Sequence, residues 1–278
     1  MIKVGYVEQV GGAEMCAEVV AELMLVGVEA NLVSFSSVGT LMSALRSGEG
    51  QVAIRWLKEI AVGQHSDWVI AGLSKRRHSG YSLITADPKR SDTNVGQALA
   101  SLPNGAAVAV RSDMERLQLS AFTSNISILD QKENTSIETL LESLQNGDIA
   151  ACVVPNEEYE CCRSASSSWA SDYAFNPKEF VPEAGSGVLA YLTLSDDIAT
   201  RRAVKKIHHS EVAEITNIER GLKQIVGEQG KRVAAYSEKD LQAYYHLWAF
   251  SGDAKRVRVS SSTTFGLAEQ AAADLGIV

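Results

Sequence analysis

Basic residues are scarce for the length of this chain. With 26 Lys and Arg against 34 Asp and Glu, the 278-residue sequence has a formal net charge of −8. An acidic balance excludes the broad basic face that nucleic-acid phosphates reward. It also sits poorly with a site that gathers polycarboxylates, unless positive charge is concentrated locally. Cysteine is scarce too: Cys16, Cys152, Cys161 and Cys162 are the four. Adjacent Cys161 and Cys162 hardly pair with each other, and no CxxC spacing suggests zinc, so the thiols read as reduced and without a role. His65, His208, His209 and His246 are too dispersed for a metal site or a nucleophile–base pair. No apolar run approaches the roughly 20 residues of a membrane span. The first seven residues alternate like a buried strand rather than an export signal. These absences predict a cytoplasmic protein with neither nucleic-acid nor membrane partners, and they leave the oligomeric state open.

What is present suits buried cores: 45% of residues are hydrophobic and 22% charged. Strands are expected at 2–7, 29–35, 51–54, 68–73 and 81–85, with helices at 13–26 and 40–47 between them. This βαβ rhythm predicts a mostly parallel sheet covered by helices. The polar stretch 86–92 predicts a hinge. The rhythm then restarts with strands at 106–110, 127–129 and 149–154. Helices at 114–122 and 136–145 lie between them, the second opened by the cap-like Asn134-Thr135-Ser136. The serine-rich 164–168 reads as loop. Helices at 199–208 and 212–226, strands at 232–237, 244–251 and 256–261, and a helix at 265–275 make a separate α+β unit. The expected organisation is an α/β domain from 1–86 with 184–200, a second α/β domain at 87–183, and a small α+β domain at 201–278.

Several segments, in order, carry a resemblance. They are Gly5 in the first strand, Leu57-Lys58-Glu59 after the third, and Gln145-Asn146-Gly147-Asp148 before a later strand. Phe180-Val181-Pro182-Glu183-Ala184-Gly185-Ser186-Gly187 and Thr216-Asn217-Ile218-Glu219-Arg220 follow. Together the segments resemble hydroxymethylbilane synthase, also called porphobilinogen deaminase, over nearly the whole chain. The resemblance implies two α/β domains of the type II periplasmic-binding-protein kind with an active-site cleft between them. It also implies a third α+β domain carrying a cysteine-linked dipyrromethane cofactor. An aspartate serves proton transfer, and arginines bind acetate and propionate groups.

Carried over residue by residue, the resemblance places the catalytic segment at Arg55-Trp56-Leu57-Lys58-Glu59. Lys58 and Glu59 are the catalytic candidates, Glu59 being one methylene longer than the family's aspartate. A displacement near 1 Å costs on the order of 10²-fold in rate. Arg55, Arg76, Arg77 and Arg116 are the substrate-binding candidates, although the family has no arginine at 55. Arg76-Arg77-His78 reads first as a solvated charge cluster. Likewise Gly11-Gly12-Ala13-Glu14 reads as a plain turn before an anion site. Where the family carries arginines stand Tyr6-Val7-Glu8, Met114-Glu115 and Asn134-Thr135-Ser136. Neutral residues cannot copy the guanidinium fork, and a glutamate would repel the substrate. A lid is shortened to Ser36-Ser37-Val38-Gly39. Residues 225–233, where the cofactor cysteine belongs, contain no thiol, so no cofactor is expected. Two functions stay open. One is a synthase-like enzyme of tetrapyrrole biosynthesis condensing porphobilinogen. The other is a catalytically inactive homologue using its cleft to bind a small anionic molecule or a partner.

Overall fold

Alternation along the first strand shows how the chain begins to fold. In β1 (Ile2–Val7), Ile2, Val4 and Tyr6 join one hydrophobic cluster and Val7 joins another. The first cluster takes Cys16, Val19 and Leu23 from α1 (Gly12–Leu25), and the second takes Leu41 and Leu45 from α2 (Val38–Ser47). Gly5 lies beneath α2. A Cβ there would come within 2.5 Å of Leu41 Cδ1 and 2.9 Å of Phe35 Cε2, so close approach requires glycine.

The structure is a computed structural model that describes residues 1–7, 12–63, 67–86, 94–166 and 169–277. After α1 come β2 (Ala30–Phe35), α2, β3 (Val52–Trp56), a 3₁₀ turn (Leu57–Glu59) and β4 (Trp68–Leu73). Then follow β5 (Tyr81–Thr85), α3 (Val95–Ser101), β6 (Ala106–Val110), α4 (Asp113–Phe122), β7 (Ile126–Asp130), α5 (Ile137–Gln145), β8 (Ala151–Pro155), α6 (Asn156–Ser166) and β9 (Ser171–Ala174). The chain ends with β10 (Leu189–Leu194), α7 (Ile198–Lys205), α8 (Ser210–Glu228), β11 (Val233–Lys239), β12 (Tyr245–Ser251), β13 (Arg256–Ser261) and α9 (Leu267–Asp274).

Among the described residues three sheets result. The first has the order β2-β1-β3-β10-β4, with β1 parallel to β2 and β3, and β10 antiparallel to β3 and β4. The expected return of the chain near 185–194 into the first sheet is therefore realised. The second sheet has the order β7-β6-β8-β5-β9, and β11-β12-β13 form an antiparallel sheet of their own. By contacts the described chain divides into two compact units, Met1–Arg77 with Gly185–Asn217, and His78–Ala184 with Ile218–Val278. The mixed α/β class expected from the sequence is what the chain adopts.

Three expectations need correcting. Tyr81–Thr85, read as part of the first sheet, pairs with β8 and β9 in the second. Its continuous apolar core gives no sign of which sheet it joins. Part of 164–168, read as loop, is the end of α6, because serine tolerates a helix end that tertiary contacts already hold. Helix α3 and strand β9 went unread, being only 7 and 4 residues long. Residues 87–92 of the expected hinge lie outside the described ones.

Candidate active site

In the first unit the site is built where β3 runs into its 3₁₀ turn. Trp56 and Leu57 are buried, which anchors the turn and leaves Glu59 exposed and Lys58 half-buried. Leu57 donates its N–H to Val188 O at 2.8 Å. Gly185, at φ +84°, lies so close that a Cβ would come within 3.0 Å of Leu57 Cγ. The glycine turn of the return segment thus packs directly against the 3₁₀ turn. Arg55 Nη2 donates to Glu59 Oε2 at 3.1 Å. Of the candidates read from sequence, these two are brought together.

Arg76 and Arg77 follow β4. The Arg77 N–H donates to Gly187 O at 2.8 Å, and its guanidinium pairs with Glu18 on α1. The pocket beside it, which includes Glu22, Ser74 and Tyr191, holds only about 30 Å³. That is room for a water or two, not for a pyrrole ring. The shortened lid is a helix start: Ser37 caps α2, and its Oγ accepts the Thr40 N–H at 3.2 Å.

In the second unit the start of α4 departs from expectation. Glu115 was expected to repel a substrate, but its carboxyl is buried and turned inward. Its Oε2 accepts the Arg111 N–H at 2.6 Å. Burial pushes its pKa up to about 7, against the opposing pull of that hydrogen bond and of the Arg111 charge. A carboxyl so placed is neither exposed nor fully charged at neutral pH. Glu8, the other glutamate invoked, lies outside the described residues, as do Gly11 and His65. Arg116 is half-buried and donates to Asp113 Oδ1 at 2.7 Å, with Asp130 Oδ1 at 3.4 Å. Arg111 went unremarked in the sequence. Its Nη2 donates to Glu158 Oε2 at 2.7 Å and its Nη1 to Thr135 O at 3.2 Å. The available signal was its place directly after Val108-Ala109-Val110, where a guanidinium must find partners.

Comparison with known proteins decides the family. The model described as "Porphobilinogen deaminase, dipyromethane cofactor binding domain" matches residues 36–202, more than half of the chain. The chain belongs to the porphobilinogen deaminase family. A probable porphobilinogen deaminase from Methanococcoides burtonii is 26% identical over 174 residues, which cover 62% of this chain and 51% of that protein. The porphobilinogen deaminase of Bordetella parapertussis is 26% identical over 205 residues, covering 73% of this chain and 61% of the relative. The chain thus spans about half to three fifths of the length of these relatives. Among solved structures, the Bordetella pertussis BvgS VFT2 domain is similar with TM-score 0.44 and 19% identity, covering 78% of this chain and 92% of that one. The second substrate-binding domain of an amino acid ABC transporter from Streptococcus pneumoniae is similar with TM-score 0.47 and 12% identity, covering 74% and 91%.

Family membership overturns the expectation of no cofactor. The matched domain is the one that binds dipyrromethane, so the group is expected in the family. The missing thiol at 225–233 removes one covalent anchor, and an anchor is not the whole of a binding surface. Among the described residues no helix is long and apolar enough to cross a membrane, and no cluster of His, Cys, Asp and Glu could hold a metal.

Proposed function

We propose that this chain works in tetrapyrrole biosynthesis as a hydroxymethylbilane synthase-like protein that condenses porphobilinogen. The observation that carries the reading is the β3 turn, where Glu59 is presented beside Arg55 at 3.1 Å. A solvent-facing carboxylate suits the positive charge and protons of pyrrole nitrogens, and a guanidinium suits the carboxylates of the same substrate. Lys58 flanks Glu59, and Arg76, Arg77 and Arg116 are further carboxylate-binding candidates.

The second unit has residues that fit the cofactor's charge. A cavity of about 400 Å³ is lined by Arg116, Lys231 and Arg232, with Asp113 and Asp253 at the same surface. Its cations would hold the acetate and propionate groups of dipyrromethane, while no cysteine lines it to form a thioether. When bound, that group supplies the primer for chain growth.

One observation favours the second reading, binding without turnover. Arg55, Arg77 and Arg116 each already face a carboxylate of this chain, Glu59, Glu18 and Asp113 respectively. An incoming carboxylate must displace these partners. The test is the formation of hydroxymethylbilane from porphobilinogen, read as uroporphyrin fluorescence after oxidation. The enzyme reading expects turnover that Glu59→Gln abolishes. Calorimetric binding of porphobilinogen without any turnover would replace it with the second reading.

A further inference from the structure

The sequence reading set His246 aside as isolated, and the third sheet reverses that. β12 and β13 pair with His246 directly opposite Ser260, so both side chains lie on one face. Ser260 Oγ lies 2.7 Å from His246 Nδ1, and His246 Nε2 lies 3.0 Å from Asp240 Oδ2. A carboxylate only accepts, so in the neutral ring Nε2 carries the proton. Nδ1 is then the acceptor, and the Ser260 hydroxyl donates to it. Asp240 is itself held in place. Its Oδ1 accepts the Gln242 N–H at 2.9 Å and the Tyr244 N–H at 2.8 Å.

A polar pair at a sheet end often serves only to satisfy its own members. Here the exposure runs the other way from what that reading needs. The imidazole is 13% exposed and Asp240 28%, whereas Ser260 is exposed. The group left outside is the one that would react. Arg258, two residues before Ser260 on the same face, is also exposed, its guanidinium 5.1 Å from the centre of the Trp248 ring. It puts a positive charge on that face beside the serine.

We propose that Ser260 is a nucleophile for acyl transfer from small esters that carry an anionic group. His246 acts as general base, Asp240 as positioning residue, and Arg258 attracts the anion. Ser260 Oγ bonds to the ester carbonyl carbon while its proton passes to His246 Nδ1. The carbon–oxygen bond to the leaving alcohol then breaks, and that alcohol takes the proton from His246. Water, deprotonated by His246, attacks the acyl-serine, releases the acid and restores the hydroxyl. This chemistry is independent of the proposed tetrapyrrole function.

The full chain is incubated with an alkyl fluorophosphonate, in which Ser260 Oγ would bond to phosphorus as fluoride leaves. Hydrolysis of the p-nitrophenyl hemiester of succinic acid is followed alongside. The expected result is one adduct, on the peptide holding Ser260, and release of p-nitrophenol, both absent in Ser260→Ala. Ser261→Ala, on the opposite face, should label at the wild-type rate. Asp240→Asn should label at least about tenfold more slowly with an unchanged circular-dichroism spectrum, because an amide can reverse the ring tautomer while keeping the fold. His246→Gln should behave like Asp240→Asn. No adduct, an adduct on another serine, or undiminished labelling of Asp240→Asn would overturn the proposal.

Discussion

Glu59 and Glu115 both stand where family motifs lead one to look, and the fold treats them in opposite ways. Glu59 leaves a 3₁₀ turn, is exposed, and meets Arg55 at 3.1 Å. Glu115 lies in the first turn of α4, buried, its carboxyl pushed up to about 7 by desolvation. Aligned position alone therefore does not give the charge a carboxyl carries. For Glu115 burial decides. One turn further along α4, Gln118 is equally buried and has no charge to lose. It bridges both polar groups of Val181, accepting from the N–H at 2.7 Å and donating to the C=O at 2.9 Å.

The largest effect is expected at Gln118. Gln118→Leu leaves the Val181 N–H and C=O buried without partners, at about 1–3 kcal/mol each. A urea titration should show a loss of about 2–5 kcal/mol, the same at pH 5 and pH 8. A loss under about 1 kcal/mol would mean that water reaches this part of α4, and the contrast with the exposed turn would then fail.

Glu115 should give the next effect, and its signature is pH. The folded state keeps the proton between 4.5 and about 7, a range in which the unfolded chain has released it. The folded protein binds more protons there, so stability falls as pH rises through that window and levels off above it. The contribution is on the order of 3 kcal/mol. Glu115→Gln removes the ionisation and keeps an acceptor for the Arg111 N–H. Relative to wild type, the variant should gain stability from pH 5 to pH 8. Parallel stability curves for the two proteins across that range would show that Glu115 is not desolvated.

Much of this contrast was legible beforehand, though unevenly. The periods of Ile2–Val7, Trp68–Leu73 and Ala106–Val110 gave strands with the bounds observed, because alternation or an unbroken apolar run leaves few choices. The return of residues 185–194 to the first sheet came from the family resemblance, while the place of β10 between β3 and β4 did not. What escaped reading was whatever depends on partners far along the chain. Tyr81–Thr85 looks alike in either sheet, and nothing local shows that Glu115 turns inward to Arg111. Likewise, the separation of 14 positions between His246 and Ser260 hides a cross-strand pair that only the register of β12 and β13 reveals. Arg55 and its partner Glu59 are only four residues apart. Arg77 and Glu18 are 59 apart, which no local pattern reveals.

The smallest effect is expected where the chemistry is proposed. Glu59→Gln removes one member of a pair open to water, and such pairs contribute about 0.5 kcal/mol. Arg55, still able to reach solvent and the new amide oxygen, is not left as a buried unpaired charge. The stability change should therefore stay under about 1 kcal/mol, while any turnover of porphobilinogen disappears. Chemical denaturation reads the first part, and uroporphyrin fluorescence reads the second. A loss above about 2 kcal/mol would place Glu59 with Glu115 as a structural carboxyl. The β3 turn would then be a fold element rather than a reactive one.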